Sequence, residues 1–275
     1  MDRRSELSDF LRSRRARLSP EDVGLRDYGG RRRVPGLRRE ELAQVAGLSV
    51  DHYVRLEQGR ALRFSPEVLD AVARVLRLDP SEREHLYNLA VPEAGRGGGA
   101  GQRVRPGLVR LLAAAEGVPA YVVGRRADVL AWNRLAGALF ADFDALPPNH
   151  RNLARLLFLD EDYGRVYRDR DRKAEDLVAY LRLDAGRHPG DPVTEALLAE
   201  LTERSPEFRR HWGAHGVRDK TRGRYRLRHP AVGDLDLAYE TLRLPDDPDQ
   251  VLVFHTADPG SGSERALAKL RAESG

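Results

Sequence analysis

Between Leu37 and Arg60 the chain reads LRREELAQVAGLSVDHYVRLEQGR, a run whose side chains suit recognition of a polyanion. Arginines stand at 38, 39, 55 and 60. A guanidinium is a permanently charged, planar donor fork that matches a phosphate or the edge of a guanine. Between them lie Ser49, Val50, Asp51 and His52, which add a hydroxyl, an apolar methyl pair, an acceptor and an imidazole. The chemistry this set suits is hydrogen bonding to bases and phosphates.

Such side chains need a rigid carrier, and the same stretch spells one. Ala43 is small where two helices must cross closely, and Gly47 supplies the turn between them. Leu42, Ala46, Leu48, Tyr53 and Leu56 fall where the apolar contacts of a helix-turn-helix belong. Ser49 caps the second helix of the pair, running from 49 to about 58. Ala–x3–Gly helix pairs also occur in proteins that never touch DNA, so the flanks matter. A helix over 5–18 buries Leu7, Phe10, Leu11 and Leu18. Ser65–Pro66 and Asp79–Pro80 start two more, with Leu69, Val72, Leu76, Leu86 and Leu89 inward. Five short helices make an all-α domain over 1–94. The loop over 20–36 carries Arg31, Arg32 and Arg33, read either as a solvated run or as a phosphate or minor-groove contact.

Charge supports a polyanion partner for this part only. Residues 1–106 hold 21 basic and 16 acidic side chains, a net +5, against 26 and 27, a net −1, over 107–275. Arginine outnumbers lysine by 44 to three, at 173, 220 and 269, so a choice of Arg over Lys carries no argument. The chain has no Cys, which excludes disulfides, Cys-bound zinc, iron–sulfur clusters and thiol catalysis. No apolar run approaches a bilayer span and the start shows no signal-peptide core, so a cytoplasmic protein without a membrane partner is expected. GRGGGAGQ lies within an expected linker over 95–106.

Beyond it, 107–275 reads as a second domain. AYVVG (120–124) and DVLAW (128–132) form a hairpin. Helices follow near 133–140, 151–159, 174–185, 193–203 and 206–214. Three strands (223–229, 233–244, 250–257) and a helix over 263–270 close the chain. Leu235, Leu237 and Tyr239 alternate with polar neighbours, as a half-buried strand requires. The expected fold is an α+β domain, a five-stranded antiparallel sheet with its helices on one side.

The first domain resembles the XRE or phage-repressor type, for which the ending Leu56–Glu57–x–Gly59 is characteristic. With VLAWNRLAGALF (129–140), RSPEFRRHW (204–212) and RHPAVGDLDLAYETLRLPDDPDQ (228–250), nearly the whole chain is similar to actinobacterial MmyB-like transcriptional regulators. It departs from them after Arg60, where it reads ALRFSPE. The resemblance implies a third helix lying in the major groove. Its first turn, Val50, Asp51 and His52, with Arg55 one turn on, would then read bases. Arg55 would read guanine, Val50 a thymine methyl and Asp51 a cytosine amine. Asp51 is also stabilised by the helix N-terminus alone. Ser49 caps this helix, and Arg38, Arg39 and Arg60 would meet phosphates.

The resemblance also implies a PAS-like second domain that binds a small ligand. Its inward aromatic candidates are Trp132, Phe140, Phe158, Tyr180, Phe208, Trp212, Tyr239 and Phe254, which otherwise simply fill a core. Arg228, His229 and His255 are candidate anchors for an acid head, as an apolar, fatty-acid-like ligand would need. Nothing spells an enzyme: HExxH, a phosphate loop and G-x-S-x-G are all missing. His211 and His215 lie four apart but lack a third metal ligand in sequence, so neither metal nor cofactor is expected. The sequence thus reads as a dimeric regulator of operator DNA with a ligand-sensing second domain. The rival readings are a second domain used only for dimerisation or protein contacts, and an enzyme with a vestigial helix-turn-helix.

Overall fold

The computed structural model describes residues 3–25, 36–59, 64–91, 102–216 and 221–273. The chain forms two compact units. The first comprises residues 1–98 with 182–195, and the second 99–181 with 196–275.

The first unit is helical. It holds α1 (Arg3–Arg15), α2 (Arg39–Ala46), α3 (Val50–Glu57), α4 (Pro66–Val75) and α5 (Pro80–Ala90). Local signals set their ends. Gly47 ends α2 at φ +69°, in the left-handed region that favours glycine. Ser49 then starts α3, its side chain accepting from the His52 N–H. Asp79 and Glu82 form a reciprocal capping box at α5, and Pro66 and Pro80 occupy first-turn positions. Phe10, Leu11, Leu42, Tyr53, Leu56 and Leu69 are wholly buried and make the core that fixes α3.

The second unit is built on an antiparallel sheet of five strands. They are β1 (Ala120–Val123), β2 (Val129–Trp132), β3 (Arg222–His229), β4 (Gly233–Leu244) and β5 (Asp247–Thr256). Their order is β2-β1-β5-β4-β3, so the first strand lies between the second and the last. On β4 the expected alternation holds, with Leu235, Leu237 and Tyr239 buried. Gly223 on β3 faces Tyr239, and a Cβ there would stand 2.8 Å from that ring. A side chain there would push the far end of the Tyr239 ring aside.

The helices of this unit are α6 (Pro106–Ala114), α7 (Arg134–Phe140), α8 (Leu153–Leu159), α9 (Glu161–Val166), α10 (Arg170–Arg187), α11 (Pro192–Arg204), α12 (Pro206–Gly213) and α13 (Gly262–Glu273). The residues of α10 and α11 from 182 to 195 group with the first unit. The expectation of helices on one side of the sheet needs correction. Leu112 of α6 packs with Ala120, Val122 and Leu252 on one face. Tyr121, on the opposite face by strand alternation, packs edge-on against Phe140 of α7. Both faces are covered there, and β1 is buried along its whole length.

Candidate DNA interface and ligand cleft

Helix α3 has two distinct sides. Tyr53, Leu56 and Glu57 are buried, while Ser49, Val50, Asp51, His52 and Arg55 are exposed. An exposed valine on a small domain is unremarkable alone, but here Val50 lies on the same face as the polar side chains. Arg55 Nη2 sits 2.9 Å from Asp51 Oδ2, one helical turn away. The His52 ring leans on Phe64, with centroids 5.7 Å apart. Ser49 uses its hydroxyl oxygen as the cap, 3.1 Å from the His52 nitrogen.

The two predicted phosphate contacts on α2 differ. Arg38 is exposed; its backbone N–H donates to Glu41 and its carbonyl accepts from the Leu42 N–H. Arg39 is half-buried and donates from Nε and Nη2 to Glu57 Oε1, at 2.9 and 2.7 Å. Arg15 approaches the same carboxylate at 3.2 Å to Oε2. Burial alone would raise the Glu57 carboxyl, but the hydrogen bond from Arg39 and the charge of Arg15 outweigh it and hold it below the ordinary carboxylate range. Sequence reading singled out Glu57 without this pairing, because its partner Arg15 lies 42 residues upstream. Arg60 and the Arg31–Arg33 run lie outside the described residues.

The second unit carries a cleft of about 1260 Å³. Trp132, Phe140 and His229 line it, joined by Leu130, Leu139 and Tyr163. Asn133, buried, positions its walls. Its Oδ1 accepts from the Ala136 and Ala120 nitrogens, and its Nδ2 donates to the Ala115 and Val118 carbonyls. One side chain thus ties the start of α7 to β1 and to the turn after α6. The cleft loop is fixed by Arg151, whose Nε donates to the Phe143 and Leu146 carbonyls under the face of Trp132. His229 donates from Nε2 to the Ala138 carbonyl and accepts at Nδ1 from the Ala231 N–H. Both of its nitrogens are engaged within the chain.

The other expected ligand contacts are scattered. Phe158 meets Phe208 edge-on at 5.3 Å, Phe208 stacks on Trp212 at 5.4 Å, and none of the three is on the cleft lining. Tyr180 donates its hydroxyl to the Gly124 carbonyl. Arg228 is exposed beside Asp234, 3.3 Å away. Phe254 and His255 are neighbours on β5, so alternation sends them to opposite faces. Phe254 packs near Leu112, whereas His255 packs among Tyr121, Phe140 and Tyr239. Burial and the charge of Lys173 push the His255 imidazole down to about 3. It is neutral at ordinary pH and lends no charge to an acid head.

Lys173 is a buried residue that sequence reading passed over. Its Nζ lies 5.2 and 4.8 Å from the Tyr167 and Tyr225 rings. Its signal was rarity, as one of three lysines among 44 arginines. Asp171, Glu207 and His211 bring potential metal-ligating atoms within 4.8 Å of one another. Arg210 already pairs with Asp171 and Arg170 with Glu207, so the carboxylate charge there is balanced.

Comparison with known families agrees with both halves. Residues 104–270 match the model described as MmyB-like transcription regulator ligand binding domain. Residues 6–86 match that of a helix-turn-helix domain. No curated protein matches the chain. Among the described residues no helix is long and apolar enough to cross a membrane.

Proposed function

The chain belongs to the MmyB-like transcription regulators, and from that premise we propose that it reads operator DNA with the exposed face of α3 and senses a small apolar ligand in the cleft beside α7. The observation that carries the DNA half is the two-sided character of α3. Its exposed first turn sets Val50, Asp51 and His52 with Arg55 one turn later, over a back wholly committed to the core. That is the arrangement a helix needs to enter a major groove. Ser49 fixes the start of the helix, Arg55 reads a guanine, and Arg38, Arg39 and Arg60 steady the backbone.

One such helix covers only a few base pairs, so the protein acts as a homodimer on a two-fold operator in the cytoplasm. It works by binding and not by catalysis. A ligand regulates it only by binding the DNA-competent and incompetent states with different affinity. The cleft favours sensing over a second domain used only for dimerisation. A fatty-acid-like ligand would need a cation at the cleft, and Arg134 stands on its lining.

Selection of binding sites from random duplexes, followed by gel shifts with Arg55→Ala, tests the DNA half. A recovered two-fold site whose preference Arg55→Ala erases supports it, and an unchanged preference overturns the role of Arg55. Native mass spectrometry of freshly purified protein tests the rest. A dimer carrying a small molecule lost on denaturation supports sensing, whereas an apo dimer with no thermal shift in a ligand screen favours a scaffold domain.

A further inference from the structure

On the reading of the cleft as the sensing site, we propose that the β1–β2 turn, pivoting on Gly124, carries occupancy of that cleft to two places where the chain passes from one unit to the other. The turn is a positioning device. It bears on how the ligand is felt and not on which ligand binds.

Three side chains close on Gly124 within the second unit. Tyr180 of α10 donates its hydroxyl to the Gly124 carbonyl at 2.9 Å. A Cβ at residue 124 would stand 2.7 Å from Leu130 and 2.8 Å from the carboxamide carbon of Gln102. The φ there is −101°, which any residue adopts, so glycine serves close approach and not backbone freedom. Each of the three leads somewhere different. Leu130 lines the cleft. Gln102 stands four residues past Gly98, where the chain leaves the first unit. Tyr180 stands two residues before Arg182, where it re-enters that unit. Neither Gln102 nor Tyr180 is on the cleft lining.

The turn is held in a conformation that side chains resist. Arg126 and Ala127 have φ of +59° and +63°, in the left-handed region. Such residues persist where their surroundings over-determine them. Asn152, wholly buried, donates from Nδ2 to the Arg126 carbonyl and to Asp128 Oδ1, each at 2.8 Å. Its Oδ1 caps α8 by accepting from the Ala154 and Arg155 nitrogens. Gln102 accepts from the Arg125 N–H at 2.6 Å. A backbone held this way has a second arrangement within reach, in which a left-handed φ relaxes to the negative side. Leu156, on the helix that Asn152 caps, lines the cleft as Leu130 does. A ligand that displaces either leucine therefore acts on the turn, and it shifts the balance when it fits one arrangement better than the other.

Hydrogen exchange of the full chain, read by mass spectrometry, tests the pivot without any ligand. Tyr180→Phe keeps the ring and removes one hydrogen bond. Gln102→Ala removes the acceptor of the Arg125 N–H. Each should speed exchange about fivefold, the worth of one hydrogen bond, at the turn and also at residues 182–195. Exchange altered only within the second unit, in both variants, overturns the pivot.

Decanoate, below its micellar concentration, supplies the second test. On binding it, the parent should gain protection at the turn and at residues 182–195. Tyr180→Phe should bind decanoate as tightly as the parent and lose the protection at 182–195. Equal protection there in parent and variant overturns the pivot. A parent that does not bind decanoate counts against the reading of the cleft, and the ligand-free comparison still decides the pivot.

Discussion

Arg39 and Glu57 are joined by two hydrogen bonds to one oxygen: Nε and Nη2 of the arginine both reach Oε1. Arg15 donates to the other oxygen, Oε2, at 3.2 Å and also reaches Oε1 at 3.4 Å. The carboxylate is wholly buried, while the Arg39 side chain remains 40% exposed. This relationship braces the start of α2 against the end of α3, so α3 is held by a charge as well as by its core. The exposed part of Arg39 leaves this pairing compatible with the phosphate contact proposed for it.

Removing the carboxylate leaves a buried guanidinium on Arg15 without its partner. Glu57→Ala should therefore cost about 3–5 kcal/mol, in the range for breaking a buried pair from one side. Glu57→Gln should cost less, because it keeps an acceptor. Urea unfolding followed by helical circular dichroism reads both, and a Glu57→Ala variant as stable as the parent would show the pairing to be idle.

Arg38→Ala and Arg39→Ala should part company. Each should lower the salt dependence of DNA binding by about one phosphate contact. Only Arg39→Ala should also destabilise the fold, by about 1 kcal/mol or less, since its solvent exposure weakens the pair. Equal melting temperatures for the two variants would deny Arg39 its structural part.

Asp51 pairs with Arg55 across one exposed turn. Arg55→Ala should lose about 1–3 kcal/mol of discrimination at one base pair and keep non-specific binding. Asp51→Asn should tighten non-specific binding, because a negative charge leaves the interface. It should also broaden the preference at the base Arg55 reads. Competition gel shifts against single-base operator variants measure both effects.

The pH dependence of the second unit follows from His255. Its folded value of about 3 lies below the ordinary 6.5. Below pH 6.5 the unfolded chain takes up a proton that the folded chain refuses, so the contribution is complete above 6.5 and is lost as pH falls toward 3. His255→Phe should flatten the stability profile in that window. A profile between pH 7 and 4 as steep in the variant as in the parent would remove His255 as the cause.

What the sequence made legible was local. Ser49, Gly47 and the Asp79–Pro80 start are read from neighbours along the chain, and the helices begin and end there. The alternation of Leu235, Leu237 and Tyr239 needs only a period of two. Glu57 and Arg15 meet through tertiary packing, which no periodicity encodes. The same holds for the strand order and for the covered second face of β1. Helix α9 went unread because it is six residues long and contains Gly164. The ligand contacts were least legible, because aromatic type marks burial but not which cavity, if any, a ring faces. Phe254 and His255 show why: one position along a strand reverses the face.

The place of β1 in the sheet bears on how the protein is made. Its neighbours are β2, six residues downstream at the nearest paired positions, Val123 and Val129, and β5, which ends at Thr256. A ribosome therefore releases the helices of the DNA-binding half long before the strand that completes the sheet. Until then β1 keeps an open, apolar edge, the kind of surface that invites pairing with another chain. A message cut short before Asp247 would encode α3 intact with a sheet that lacks its middle strand: a helix-turn-helix without a complete ligand-binding domain, and a candidate for aggregation.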